Sequence, residues 1–423
     1  MADRYDVAIA GAGPAGGQCA RDLGARGHDV VVLEAEPEET FPTTSNKSTA
    51  GTFPRMLAPF NVPDDVVMHH TRRVVLESPN DHYAATQPGA VLDFGEFKRW
   101  LVEESRDRGV EYRFGARATR PLVEDGSVEG IIYNGDEEVR ADIVVDATGP
   151  AAPLAKDLGV VELRRENHAI GIEYEMAGVE VDHPGFGDLT DAMMLRLDHS
   201  IAPGGYSWIF HTGEDTAKVG LCYIQNERHK DYAEAGKTVD DYLRGWIERD
   251  PRLQGAHEIE GRQQHRGSAH IQLPGRMSAD SFMAIGDTVP SVDPVWGEGI
   301  HKCMESGRVA ATVAEHALGM GDTGEEVMAL YDDLWHERVA PNVENRMMLA
   351  ELLYLASNER YDRFMRDLNR LPKDTLSRAN RGDKLAMLKL LHLEDLPRLL
   401  TFARERLGLG SGSRFGAAGT PSS

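Results

Sequence analysis

The hexapeptide Gly11-Ala12-Gly13-Pro14-Ala15-Gly16 constrains this chain more than any other feature. It joins an apolar run, Tyr5 to Ala10, to a segment with helical spacing, Pro14 to Arg26, and a second apolar run, Val30 to Leu33, ends in Glu34. Strand, glycine turn, helix, strand and acid in this register build a βαβ unit around a phosphate-binding turn. Gly11 allows the tight turn, Gly13 lets the backbone approach a pyrophosphate, and Gly16 lets helix and strand pack closely. At Ala15 the helix N-terminus presents unpaired N–H groups and a partial positive charge to phosphate. Glu34 is placed to accept hydrogen bonds from ribose hydroxyls. An acid there favours a free ribose over a 2′-phosphate, and leaves FAD and NAD both open.

Later segments separate the two. Ile143-Val144-Val145-Asp146-Ala147-Thr148-Gly149 follows mid-chain, and Ser281 to Ile285 forms another short apolar strand ending in Gly286-Asp287. Asp287 is a candidate for bonding a ribityl chain. Pro294-Val295-Trp296-Gly297-Glu298-Gly299-Ile300 then opens a helix expected to reach about Ala317. Its N–H groups at Gly299 and Ile300 suit the polar edge of an isoalloxazine ring and the negative charge of reduced flavin. Four such pieces in this order specify an FAD flavoprotein.

Pro203-Gly204-Gly205-Tyr206-Ser207-Trp208-Ile209-Phe210 adds a further mark. Taken with the flavin pieces, the chain resembles the geranylgeranyl reductase family, within the FAD superfamily that includes the aromatic-ring hydroxylases. The octapeptide is similar to the P-x-x-Y-x-W-x-F segment that lines the isoprenoid cavity in those enzymes. The resemblance spans roughly residues 5 to 340. It implies a Rossmann-type α/β FAD-binding domain, an antiparallel-sheet substrate domain and a helical C-terminal region. Three positions depart from the family pattern. Where members carry Cys-Gly-x-Gly, this chain reads Asn46-Lys47-Ser48-Thr49-Ala50-Gly51, with Ser48 in place of the cysteine and Ala50 and Gly51 beside the flavin. Phe94 stands where an arginine is usual, leaving Lys98 or Arg99 to supply that charge, and His211 replaces a proline.

The chemistry so implied is hydrogenation of isolated trisubstituted double bonds. Reduced flavin delivers hydride, a proton reaches the less substituted carbon, and the aromatic faces of Tyr206 and Trp208 stabilise the tertiary cation that develops. His301, Glu298, Asp293 and a flavin-bound water are the candidate proton sources. The implied substrate is an isoprenoid lipid, foremost a phospholipid precursor with two geranylgeranyl chains, with a prenyl-quinone side chain as the alternative. NAD(P)H, a ferredoxin or a reduced quinone would feed the flavin. An FAD-dependent monooxygenase of an aromatic substrate, a halogenase, and an isoprenoid carrier with a structural flavin are the other readings of this fold.

Charge supplies an independent constraint. Asp and Glu number 69 against 46 Lys and Arg, a net charge of −23, and only ten of the cations are lysine. Acid excess with scarce lysine resembles haloarchaeal surfaces, whose self-repulsion is screened by concentrated salt. It excludes nucleic acid as a partner, and also docking on anionic lipid through a broad basic surface. Cys19, Cys222 and Cys303 are widely spaced, so neither a disulfide framework nor a metal site is expected. No signal peptide or membrane-spanning run is read, which points to a cytoplasmic protein, with peripheral contact to the inner membrane face left open.

The organisation expected from these readings is discontinuous. Residues 1–155 and 275–320 form the FAD-binding part and 156–274 the antiparallel sheet. Residues 321–407 are helical, and the Gly/Ser-rich 408–423 is a disordered tail. Within the helical part, Met347 to Ala356 is the most apolar stretch. It carries the suggestion of a cavity rim that dips into lipid, against plain core packing.

Overall fold

A computed structural model describes residues 4–43, 49–225, 229, 231–262, 264–381 and 383–406. Ser48 and the tail 408–423 lie outside the described residues. Two sheets form the framework. The first places the strand Arg4–Ala10 between Val30–Glu34 and Glu137–Asp146, both parallel to it. Glu111–Phe114 and Phe282–Ala284 extend it in parallel on either side. Valine, isoleucine and alanine dominate these strands because both faces of the sheet are covered; Val7, Ile9, Val31, Val32 and Val144 have no exposed surface. The helices Pro14–Ala25 and Ile300–Met320 pack side by side on one another. A hairpin, Ala118–Glu124 with Ser127–Tyr133, hangs antiparallel on the Glu137–Asp146 strand.

The second sheet has nine strands, antiparallel except where Ala192–Arg196 runs parallel to Val67–Glu77. His168–Ala177, Thr216–Ile224 and Gly205–Gly213 form its centre. Period-two alternation gives this sheet two different faces. Ile209, Val219, Leu221 and Ile172 turn toward the helix Val239–Arg249, which closes a core with Tyr242, Leu243 and Trp246. Tyr206, Trp208 and Phe210 turn the other way, into the space between the sheets.

Three strands of this sheet, Gly51–Thr52, Val67–Glu77 and His82–Leu92, come from the segment that the sequence groups with the FAD-binding part. The chain therefore leaves the first sheet after Glu34, contributes to the second, and returns through the helix Phe94–Arg106. That helix is started by Asp93, whose carboxylate accepts from the N–H groups of Gly95 and Glu96. The C-terminal region is helical from Glu325 to Arg406. Met347 to Ala356 lies mostly within the helix Val343–Tyr354 and is predominantly buried: Met347, Ala350, Tyr354 and Ala356 are each under 5% exposed. Core packing is thus the role of this stretch, because cavity and sheet surround it on the sides that a surface helix would leave polar. Among the described residues, no helix is long and apolar enough to cross a membrane.

Candidate active site

The four flavin pieces meet because their small residues permit it. A side chain on Gly11, where φ is +102°, would stand 2.5 Å from the Ala147 carbonyl, and one on Gly16 would stand 2.0 Å from the Gly11 carbonyl. The mid-chain segment thus sits directly on the glycine turn. Asp146 fixes it there: its carboxylate accepts from Thr148 N–H and Oγ1–H and from the N–H groups of Leu154 and Ala155. Gly307 lets the helix Ile300–Met320 approach Ala15 to backbone contact.

Between the sheets runs a cavity of about 1870 Å³. One part of its lining is Gly11, Gly13, Ala15, Glu34, Ala50, Gly51, Asp287, Gly299 and Ile300, followed by His301, and another is Tyr206 and Trp208. Of the residues expected to touch cofactor, Gly16 alone lies behind this wall, where its smallness serves packing.

The first part has the features a dinucleotide needs. The helices Pro14–Ala25 and Ile300–Met320 both begin at glycines, Gly13 and Gly299, with no side chain capping their N–H groups. Both ends open on the cavity. Nothing lies within 4 Å of where a side chain on Gly13 would be. Glu34 is fixed by accepting the N–H of Ala12 on one oxygen and of Glu36 on the other, each at 2.9 Å. Each oxygen keeps a further lone pair for a hydroxyl donor. Asp287 accepts weakly from the Cys303 thiol at 3.5 Å, and burial pushes its carboxyl up to about 6. A ribityl hydroxyl would satisfy it. These residues fit FAD. Lys98 is buried and lines the cavity with its ammonium 4.6 Å from the Phe41 ring centre; Arg99 is exposed and paired with Glu96.

The second part is aromatic. Tyr354, Tyr206, Trp208 and Phe210 follow one another with ring centres 6.0, 5.8 and 6.5 Å apart. Trp208 lies flat across its neighbour strand because position 220 is glycine; a side chain there would meet the indole at 2.4 Å. The indole reaches Glu173 on the next strand and donates Nε1–H to Oε2 at 2.7 Å. The other Glu173 oxygen is buried and has no hydrogen-bond partner among the described residues. Sequence reading missed this carboxylate, since its link to Trp208 exists only through the register Trp208–Gly220–Glu173. Tyr206 donates to the Trp296 carbonyl at 3.2 Å, and burial holds its phenol well above the usual range, so the hydroxyl keeps its proton.

The three proton-source residues separate clearly. Asp293 is buried against Arg346, 2.8 Å from Nε, and 3.6 Å from the Lys302 ammonium. Although burial raises its carboxyl, these cations hold it below the usual range, so it stays ionised. His301 and Glu298 stand 3.1 Å apart on the cavity wall. Cys303 is buried, and burial keeps its thiol protonated. Elsewhere, His69, Asp191 and His211 converge, but both His211 ring nitrogens are engaged, accepting from Asp191 N–H and donating to the Glu214 carbonyl.

Comparison with known proteins agrees with this arrangement. A geranylgeranyl reductase catalytic domain model matches residues 168–261, the part that includes the aromatic wall, and a tryptophan halogenase model matches residues 46–169. The structure aligns with that of a geranylgeranyl bacteriochlorophyll reductase-like protein from Thermoplasma acidophilum at a TM-score of 0.81, with 24% identity over 96% of this chain and 99% of that one. It aligns with a flavin-dependent brominase at a TM-score of 0.69, with 19% identity over 92% and 94%. Both likenesses show a common fold. In sequence, the chain is 28% identical to digeranylgeranylglycerophospholipid reductase 2 of Methanopyrus kandleri, over 95% of this chain and 98% of the relative. It is 64% identical to the digeranylgeranylglycerophospholipid reductase of Haloferax volcanii, over 96% of this chain and 99% of the relative. The chain belongs to the digeranylgeranylglycerophospholipid reductase family.

Proposed function

We propose that this protein uses FAD to hydrogenate the geranylgeranyl chains of digeranylgeranylglycerophospholipid. The observation that carries this reading is the Haloferax volcanii relative, 64% identical along almost the full length of both chains. The aromatic wall Tyr354–Tyr206–Trp208–Phe210 supports it, being apolar and wide enough to run alongside an extended prenyl chain. Of the two family models, the reductase one covers the strands that line this part of the cavity, which favours alkene reduction over halogenation.

Bound and reduced, FAD supplies the hydride. The protein's own work is placement, exclusion of water and proton delivery. Glu34, Gly13 and Asp287 would hold the cofactor's polar parts, and the two uncapped helix ends would offer N–H groups to its anionic and polar atoms. Trp208, set by Glu173, and Tyr206, set by the Trp296 carbonyl, present ring faces to the cation that builds up at the more substituted carbon. His301, whose Nδ1 lies 3.1 Å from Glu298 Oε1 outside hydrogen-bond geometry, gives the proton; Asp293 is locked as an anion by Arg346 and serves to hold the 293–296 turn. The electron donor is a small reductant or a protein such as ferredoxin that meets the flavin transiently.

The test is anaerobic, on protein purified in molar salt. Its flavin is reduced with dithionite, digeranylgeranylglycerophospholipid is added, and flavin absorbance and lipid mass are followed together. Flavin reoxidation with stepwise gain of hydrogen pairs is expected. Unchanged lipid over reduced flavin overturns the reading, and oxidation only with oxygen and a phenolic compound would favour the monooxygenase alternative. In His301→Gln the flavin should bind and reduce normally while lipid reduction slows by at least about a hundredfold.

A further inference from the structure

Five leucines of the C-terminal region stand in solvent. Leu385, Leu388, Leu393, Leu396 and Leu400 are 69, 62, 85, 47 and 61% exposed, whereas the other exposed large hydrophobics, Val123, Met320 and Leu330, are scattered singly. Four of the five are spaced as helix surface residues, two on each of two helices. The helix Lys384–Leu390 turns Ala386 inward and packs Leu390 on the core, leaving Leu385 and Leu388, three apart, outside. The helix Leu396–Arg406 leaves Leu396 and Leu400, four apart, outside in the same way.

Charge sets this region apart. In a chain of net charge −23, residues 371–406 carry eight Lys and Arg against five Asp and Glu, including three of the ten lysines, Lys373, Lys384 and Lys389. The region also adjoins the cavity. Lys373, Leu376, Ser377 and Arg381 line its outer part, and the helix Thr375–Asn380 that bears two of them packs on Lys384–Leu390. Lys373 and Arg381 are exposed, with the Arg381 guanidinium donating only to Ser377 Oγ at 2.7 Å.

Outward leucines, a local excess of cations in an acidic protein, and continuity with the opening of a largely apolar cavity together fit one occupant, a bilayer with anionic headgroups. We propose that the leucine ridge Leu385–Leu400 seats the protein on the lipid surface and sets the cavity mouth against it, so that a prenyl chain passes from bilayer to cavity without crossing water. The proposal rests on the cavity being a lipid site. It moves membrane contact from Met347–Ala356 to a surface some forty residues later. In molar salt the Debye length shrinks to about 3 Å, so the leucines rather than the lysines carry the attachment.

The test uses the full-length holoprotein and vesicles of phosphatidylglycerol and phosphatidylcholine in molar KCl. Wild type is expected to float with the vesicles. Leu385→Ser/Leu388→Ser/Leu396→Ser/Leu400→Ser is expected to float at least about tenfold less while keeping its flavin and its turnover on detergent-dispersed lipid. A second protein, Leu388→Trp, needs no loss of function: its emission is expected to shift to the blue on adding vesicles. Wild type that stays in the aqueous layer, a quadruple variant that floats as well as wild type, or a tryptophan blind to vesicles each overturns the proposal. So does a ridge that joins two copies, seen as a wild-type dimer that the quadruple variant turns into a monomer with no flotation of either. Flotation without any lipid reduction would leave the docking surface standing and refute the substrate reading instead.

Discussion

Asp287 gives a prediction with opposite signs in two assays. Burial pushes its carboxyl up to about 6, against about 3.8 for an ordinary aspartate. The folded protein therefore holds a proton that the unfolded chain has released, and the associated stability is present below about pH 4 and lost as pH rises through about 6. Two pK units correspond to roughly 3 kcal/mol, taken as an upper bound. Asp287→Asn has no carboxylate to ionise, so above pH 6 the flavin-free variant should be more stable than flavin-free wild type. For a chain of this length that gain is about 3 °C in Tm, fading to nothing near pH 4. FAD should respond the other way. A ribityl hydroxyl bonds the ionised form, so wild-type affinity should fall up to about tenfold per pH unit below 6. The asparagine variant should bind about 10- to 100-fold more weakly at pH 7.5, with little pH dependence. Calorimetry of the flavin-free proteins and FAD fluorescence titration across pH 4.5–7.5, both in molar KCl, measure these quantities. A variant that is no more stable at pH 7.5, or that binds FAD as tightly as wild type, would refute the reasoning.

Three further outcomes follow from the geometry. Glu173→Leu strips the acceptor from the buried Trp208 N–H, costing about 1–3 kcal/mol, and should cut lipid turnover with flavin content unchanged; with Trp208→Phe in the same protein much of that stability loss should vanish, which a thermal double-mutant cycle reads. Arg252 has no exposed surface and bonds both Glu77 and Asp250, so Arg252→Met leaves buried Asp250 without its cation and Glu77 to Arg196 at 3.4 Å, and should cost about 3–5 kcal/mol, or roughly 3–6 °C by scanning calorimetry. Gly16→Ala forces a methyl to 2.0 Å from the Gly11 carbonyl, backbone against backbone, and should yield a folded protein that purifies without flavin, read from the 450 nm absorbance against protein mass.

The parts of this fold that the sequence makes legible are those whose physics is local. The buried strands Arg4–Ala10, Val30–Glu34 and Glu137–Asp146 are short unbroken apolar runs, and the glycine turn beside them has one structural meaning. The strands Val67–Glu77 and His82–Leu92 carry no such mark. His69, His70, Arg72 and Arg73 fill the middle of the first, and two register shifts interrupt its pairing with the second, so alternation never establishes itself. In the site, Tyr206 and Trp208 announce themselves through a motif, whereas Glu173 acts from 35 residues away through pairing that no local pattern encodes. The C-terminal helices reverse the obvious reading. Met347 to Ala356 is more apolar than Leu385 to Leu400, yet it is the buried one, because exposure depends on what packs beside a helix rather than on its own composition.

The path of the chain between the two sheets has a mechanical consequence. Residues 4–34 belong to the first sheet, 51–92 to the second, 111–146 to the first, 168–270 to the second and 278–284 to the first again. Four crossings stitch the layers together, so neither is a continuous length of chain and no single linker can act as a hinge between them. Halves sewn in this way are expected to melt together, as a single transition in scanning calorimetry. A vessel that cannot part along its seam is loaded from its end, and a long flexible chain threading in lengthwise is the kind of cargo such a vessel admits.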